Sequence, residues 1–291
     1  MKFLNFGSLN LDFVYHVENF VRPKETVSAL ACDINCGGKG LNQSIALANA
    51  GAEVYHAGKI GPDGKMLKDR LEKAGVYTDD VLVSETVRTG HAMIQVNGQG
   101  QNCIVLYGGA NQCIFKEEIK NVLAHFGKDD WLLLQNEINN IGYIMEYAKE
   151  RGMRIAFNPA PMNSKVPDYP LSLVDIFILN EVEGEGLSGE KEPDRILDVL
   201  IARYENAAVL LTLGAKGVRY AKREKRCCQS ADPTVKVVDT TAAGDTFTGF
   251  FLARYAAGDS VEKALETACR ACDFCVGISG AADSIPLLNT L

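Results

Sequence analysis

The stretch "DTTAAGDTFTG", residues 239–249, sets three small residues, Ala242, Ala243 and Gly244, directly ahead of an acid, Asp245. The continuation "TFTGFFLARYAAG" carries Phe247, Phe250, Phe251 and Tyr255 three or four positions apart. That spacing predicts one apolar helix face, with Gly258 as its C-terminal stop. Asp245 then falls in the first turn of a helix entered through a run without bulky side chains. Two readings are open at this point. Asp245 can simply cap the helix. Alternatively, the unpaired N–H groups and partial positive charge of the helix end form an anion site that small residues leave accessible.

Composition narrows the class. The chain has 291 residues, is 47% hydrophobic and carries a net charge of −7. That is enough to bury one large core. The longest basic run, "KREKR" (222–226), reads as a solvated turn between two strands, so no nucleic-acid surface is expected. No stretch of about 18 uncharged apolar residues is present, so no membrane span is expected. The start, "MKFLNFGSLNLDFVY", lacks the apolar core and small-residue end of a signal peptide. The nine cysteines are odd in number and scattered. They read as reduced thiols of a cytoplasmic protein. Cys269, Cys272 and Cys275 have no histidine nearby to complete a metal set, and read as small residues of a helix face.

Along the chain, short apolar runs alternate with amphipathic ones. Strands are expected at 2–7, 53–61, 130–135, 154–158, 175–180 and 207–214. Helices are expected at 41–51, 65–75, 141–152, 193–205, 245–257 and 260–276. This order predicts a mainly parallel central sheet with helices on both faces, a three-layer α/β domain spanning 1–291. Two segments break the rhythm. Residues 13–36 lack a helical period, and 89–107 read as a hairpin around "NGQG". Both are expected to form a small β-sheet over one end of the main sheet.

Ligands of open α/β sheets sit at the carboxyl ends of the strands. There the sequence places "GSLNLD" (7–12), "GGKGLNQ" (37–43), "NE" (136–137), "NPAP" (158–161), "NEVE" (180–183) and "TLGAKG" (212–217). Each has a plain structural reading: Asn10 and Asp12 as turn formers, Asn180 with Glu183 as a capping box, "GAKG" as a tight turn. Together they describe one cleft whose polar groups suit a polyol and whose glycine turns suit phosphate.

With these motifs in this order, the chain resembles the ribokinase-like (phosphofructokinase B type) sugar kinases over nearly its whole length. "GGKGLNQ", "NPAP" and "AAGD" are most similar to the ribokinase branch. The resemblance implies an ATP-dependent kinase transferring the γ-phosphoryl group to a sugar hydroxyl, ribose first among the acceptors. Deoxyribose, fructose, a sugar acid such as ketodeoxygluconate, or a nucleoside such as adenosine are the alternatives. It also implies roles by position. Asp245 corresponds to the catalytic base, and Ala242, Ala243 and Gly244 to the anion hole. Asn10, Asp12, Gly38, Lys39, Asn42 and Glu137 correspond to sugar-binding positions. Asn180 and Glu183 correspond to the motif that organises Mg²⁺ and nucleotide phosphates, and Thr212, Gly214 and Gly217 to the nucleotide turn. Asp239, Thr241, Gly280 and Ser284 correspond to a monovalent-cation site, usually K⁺. Segments 13–36 and 89–107 correspond to a lid that often forms a homodimer interface. A non-catalytic sensor on this fold should have lost the base or the anion hole, and this sequence has both. Two departures stand out. "IGPDGKML" (60–67) is about two residues shorter than the family's usual segment, and Lys24 of "RPKET" stands where glycine is frequent.

Overall fold

The computed structural model describes residues 1–291. A nine-stranded sheet forms its centre. Seven strands run parallel: β11 (Ala208–Thr212), β10 (Ile176–Asn180), β9 (Arg154–Asn158), β8 (Trp131–Gln135), β1 (Phe3–Phe6), β4 (Val54–Ile60) and β5 (Val81–Val83), in that spatial order. Two antiparallel strands, β12 (Val218–Lys222) and β13 (Lys225–Gln229), extend the β11 edge. The basic run 222–226 is the turn between them, as its charge implies.

Alternation along the strands loads both faces. Phe3 and Trp131 enter one apolar cluster, Leu4 and Leu132 the other. The first cluster packs under α1 (Lys39–Asn49), α2 (Lys65–Lys73), α7 (Ala243–Ala256) and α8 (Val261–Val276). The second packs under α3 (Lys116–Leu123), α4 (Ile141–Glu150), α5 (Glu181–Ser188) and α6 (Pro193–Arg203). Cys269 and Cys275 are buried in α8, as small core residues should be. No helix is long and apolar enough to cross a membrane.

Helix α7 corrects one expectation. Its aromatic residues do share a core, with Phe247, Phe251 and Tyr255 stacked at 6.1 and 5.5 Å. Yet every residue from Asp245 to Ala253 is buried, so there is no polar face opposite. The helix is sandwiched between α1 and α8, which is where a helix apolar all round belongs.

A four-stranded sheet stands apart, in the order β3 (Ala31–Gly37), β2 (Asn10–Val17), β6 (Gly90–Asn97), β7 (Asn102–Tyr107). It draws its strands from the two irregular segments but starts earlier than expected, and residues 18–30 between β2 and β3 belong to no strand. Asn10 and Asp12 are strand residues of β2, not turn formers. The short segment 60–67 docks on the base of this sheet: Asp63 accepts hydrogen bonds from Thr89 N (2.9 Å), Thr89 Oγ1 (2.6 Å) and Arg88 Nε (3.0 Å). Burial opposes its charge, but these donors prevail and hold its carboxyl down at about 2. Lys24 takes a left-handed φ of 69°, the conformation that glycine adopts without strain.

The α1–α7 crossing depends on Gly249. A Cβ there would lie 2.6 Å from Leu47 N and 2.7 Å from the Ala46 carbonyl carbon, backbone atoms that cannot swing aside. Gly249→Ala is therefore expected to force the helices apart and cost about 1–3 kcal/mol, the range for overpacked cores. Calorimetry should show the midpoint lowered by several degrees. An unchanged midpoint would contradict the close crossing.

Candidate active site

The strand order reverses direction at β1, which pairs with β4 on one side and β8 on the other. A crevice opens at such a switch point, beyond the carboxyl ends of the strands. Ser8, just after β1, donates its hydroxyl to Glu137, just after β8, and accepts from Gly40 N at 3.2 Å. Glu137 also accepts from Lys39 N at 3.0 Å. Gly40 makes this approach possible: a Cβ there would collide with the backbone of Gly7 and Ser8. The N-terminus of α1, preceded by Gly38 at φ 97°, is thereby pinned to the sheet.

Opposite it lies the N-terminus of α7. Ala242 is its N-cap, in the left-handed region at φ 62° and ψ 4°, and has no capping side chain. A left-handed residue leading into a helix makes a concave nest of N–H groups. Ala243 N closes a turn onto Thr240 O at 3.2 Å. The N–H groups of Ala242, Gly244 and Asp245 donate to nothing in the chain. A Cβ on Gly244 would meet nothing within 4 Å, so the small residue leaves open approach rather than filling a packed interior.

Asp245 is 6% exposed and held from α1. Asn42 Nδ2 donates to its Oδ2 at 3.0 Å, and Gln43 Nε2 to its Oδ1 at 2.8 Å. Asn42 Oδ1 is buried without a partner, an acceptor left over beside the carboxylate. Lys39 completes the setting. The fields of Asp245, Glu137 and Glu183 raise its pKa against the opposing effect of burial.

The four-stranded sheet brings Asn10 and Asp12 to the same crevice. Asn111 orients Asn10, donating to its Oδ1 at 2.8 Å while pairing with Leu9 N and O at 3.0 and 3.2 Å. Asp12 has no hydrogen-bond partner. Burial first, and the Glu137 carboxylate second, push its pKa up to about 6. Burial likewise raises Glu137, against the pull of Lys39 and the Ser8 hydrogen bond.

On the other flank, Asn180 and Glu183 do form a capping box. Glu183 N donates to Asn180 Oδ1 at 3.0 Å, and Asn180 N to Glu183 Oε2 at 2.7 Å. The two side chains also meet at 2.8 Å, and both line a polar pocket of about 70 Å³ with Lys39, Asn158, Asp245 and Thr248. Structural cap and site wall are here the same residues. Thr212 and Gly244 connect this pocket to a larger groove of about 340 Å³, lined by Gly214, Gly217, Val237, Phe247 and Cys272 among others. Its walls are mostly apolar, as a heterocyclic base requires.

Behind the α7 nest, Asp239 accepts from Thr241 N (2.9 Å), Thr241 Oγ1 (2.6 Å) and Gly280 N (3.0 Å). Burial pushes against its charge, but these donors hold its carboxyl below the usual range. Ser284 faces inward instead: its hydroxyl donates to Ala281 O at 2.8 Å and touches Cys275 Sγ at 3.1 Å. Residues 239, 241 and 280 thus converge, whereas the Ser284 side chain is engaged elsewhere.

Gln43, Asn111, Asn158 and Ser8 escaped the sequence reading as site residues. Gln43 sits inside "GGKGLNQ", next to the Asn42 that was singled out. Asn158 opens "NPAP", whose Ala160–Pro161 peptide is cis. Asn111 carried no signal beyond its place after a hairpin strand.

A family model described as pfkB family carbohydrate kinase matches residues 2–288. The ribokinase of Haemophilus influenzae is 35% identical over 288 residues, 96% of this chain and 94% of that protein. The deoxyribokinase of Salmonella typhi is 30% identical over 295 residues, 97% and 95% of the two chains. The structure of Arabidopsis thaliana ribokinase complexed with ribose and ATP matches with a TM-score of 0.89 at 31% identity, covering 99% of this chain and 96% of that one.

Asp12 offers a test of the site's electrostatics. Its folded pKa of about 6 exceeds the unfolded 3.8. The penalty for its charge is absent below the unfolded value, grows between the two, and is full above the folded one. Asp12→Asn is therefore expected to stabilise the protein at pH 7 by about 1–2 kcal/mol, allowing for partial exposure, and to change little at pH 4. Thermal melts at the two pH values check this. Equal shifts at both would sink it.

Proposed function

This chain belongs to the pfkB family of carbohydrate kinases, and we propose that it transfers the γ-phosphoryl group of ATP to a hydroxyl of ribose. The observation that carries the reading is the location of Asp245. Around this one carboxylate, Asn42 of α1, Glu137 after β8 and Asn10 and Asp12 at the start of β2 gather beside an open helix N-terminus that leads into an apolar groove. In this reading Asp12, Asn10 and Glu137 take the sugar hydroxyls. Asn42 Oδ1, otherwise without a partner, accepts from another. Asp245 receives the proton of the attacking hydroxyl, and the N–H groups of Ala242, Gly244 and Asp245 with Lys39 face the charge of the transferred group. The lid sheet excludes competing water.

Mg²⁺ accompanies ATP in this proposal. Asn180 and Glu183 fit it as hard oxygen donors acting through water, and the ion would neutralise phosphate charge. A monovalent cation, K⁺, is assigned to the turn at Asp239, Thr241 and Gly280, where carboxylate and backbone carbonyl oxygens would be its ligands. It would brace the loop behind the nest and add positive potential there. A second copy of the chain pairs through the lid, whose β7 exposes Ile104, Val105, Leu106 and Tyr107 on an edge strand. The similarity to a deoxyribokinase supports 2-deoxyribose as the nearest alternative acceptor.

An ADP-release assay over ribose, deoxyribose, fructose and nucleosides tests the acceptor. Ribose should give the highest kcat/KM, and any other leader would overturn the assignment. Asp245→Asn should lower kcat by roughly 10²–10⁴ with the fold and sugar binding retained. A variant keeping more than half the rate would refute the base.

The cation is tested separately. Replacing K⁺ by a large organic cation at constant ionic strength should lower kcat several-fold, and Asp239→Ala should abolish the response. Turnover indifferent to K⁺ in the unaltered enzyme would dismiss the site.

A further inference from the structure

Beneath the pocket lies a layer of polar side chains at positions that strand alternation assigns to the apolar core. Asn5, Gln135 and Asn158 stand at or near the carboxyl ends of β1, β8 and β9, and His56 lies level with Asn5 in β4, all on the sheet face shared with Phe3, Val54, Leu133 and Ala156. Asn5, Gln43, Ser44 and His56 are fully buried and Gln135 is 1% exposed. None of these five lines the pocket. They have no direct contact to offer a substrate in the reading above, yet they are joined to its base.

The connection has a definite polarity. Asn5 Nδ2 donates to the Gly40 carbonyl at 2.7 Å, a group that can only accept. This fixes which way the Asn5 amide points and turns its Oδ1 toward Gln135, whose Nε2 donates to it at 3.0 Å. The same Nε2 donates to Gln43 Oε1 at 2.7 Å. Gln43 must then present Nε2, not oxygen, to Asp245. Asn158 enforces the same choice independently. Its Nδ2 donates to the Ile178 carbonyl at 2.8 Å, so its Oδ1 faces Gln43 Nε2 at 3.1 Å. Two backbone carbonyls, one in the first turn of α1 and one in β10, therefore set the orientation of a single amide. Gln135 Oε1 is left buried with no partner, which an arrangement chosen for stability alone would avoid. On the far side, Asn5 Nδ2 and His56 Nδ1 both meet Ser44 Oγ at 2.8 Å, and burial holds His56 neutral, its pKa down at about 3.

We infer that Gln43 is a positioning residue for Asp245, oriented by a relay of buried amides that runs from the Gly40 carbonyl through Asn5 and Gln135. The inference rests on Asp245 being the base. Asn42 and Gln43 each take one carboxylate oxygen from the α1 side, which fixes the plane of the carboxylate and leaves its remaining lone pairs toward the cavity. Loss of the Gln43 donor frees the carboxylate to rotate about the single bond that aims it.

Gln43→Met removes the donor at nearly constant volume. It is expected to lower kcat about 10- to 100-fold, the effect of losing one hydrogen bond to a charged group, with the sugar KM changed little. Gln135→Met touches neither Asp245 nor the pocket, and should lower kcat by a smaller factor through the freed Gln43 amide. Gln43→Glu sets a second carboxylate against Asp245. Like charges in contact share a proton, so the acid limb of the kcat–pH profile should move up by about one unit or more. Lys39 on α1, Glu137 after β8 and Glu183 on α5 also face Asp245 and are unchanged in all three variants. A folded Gln43→Met with kcat within about twofold of the parent, while Asp245→Asn is inactive, would overturn the relay. So would an unmoved acid limb in Gln43→Glu, which decides the matter if the Met variant fails to fold. Activity surviving in Asp245→Asn would instead remove the functional reading on which the relay rests.

Discussion

The meeting of two helix N-termini across one carboxylate is the constraint around which this molecule is arranged. Neither α1 nor α7 has a side-chain cap, and both begin at residues with little or no side chain, Gly38 and Ala242. Glu137 and Ser8 take the first N–H groups of α1 while those of Ala242, Gly244 and Asp245 at α7 stay open, and both ends bring positive potential to one cavity. Left alone they would repel each other. Asp245, Glu137 and Glu183 supply the opposing charge, and Lys39 sits among these carboxylates. The helices can converge so closely because Gly249 of α7 carries no Cβ against the α1 backbone. Packing thus sets the separation of the two ends, and the hydrogen bonds of Asn42 and Gln43 set the orientation of the group between them.

Much of this was legible in the sequence because hydrophobic period and turn chemistry are local. The alternation of short apolar runs with amphipathic ones locates the six expected strands and six expected helices to within a residue or two, while β5 and α3 lie in segments where no element is expected. The small residues before Asp245 locate the nest. Lys24 lies where glycine is frequent, and the structure gives it the left-handed φ that such a position requires. What local reading could not supply is register between distant strands. Asn5 in "FLNF", His56 in "VYHA", Gln135 in "LLLQ" and Asn158 in "AFN" each look like a single polar interruption. They become one layer only when β1, β4, β8 and β9 align in parallel. The plain reading of Asn10 and Asp12 as turn formers gives way to a strand for a related reason. Their strand exists through pairing with β3 and β6, which lie some 20 and 80 residues away in sequence.

The cost of this arrangement is visible and local. Four buried side-chain atoms lack partners: Asn42 Oδ1, Gln135 Oε1, His56 Nε2 and Trp131 Nε1. Three of them belong to the network at Asp245 or to the relay beneath it. Such atoms are few in native proteins because each gives up about 1–3 kcal/mol. Ala242 adds backbone strain at the same place, a non-glycine residue in the left-handed region. Three of the four orphaned atoms and one of the five left-handed non-glycine residues thus gather at this site, the pattern expected where function competes with stability.

The three atoms differ in what can satisfy them. Asn42 lies beside Asp245, where a hydroxyl of the proposed acceptor would give its oxygen a donor. Gln135 and His56 lie a layer deeper, out of reach of anything in the pocket, so ligand binding leaves their cost in place. An orphan that a ligand satisfies contributes to affinity. One that no ligand can reach contributes only to holding the groups around it in a single orientation. The same network therefore divides into an outer part that recognises and an inner part that aims. The boundary between them runs through adjacent residues of α1, Asn42 and Gln43, which reach the two oxygens of one carboxylate.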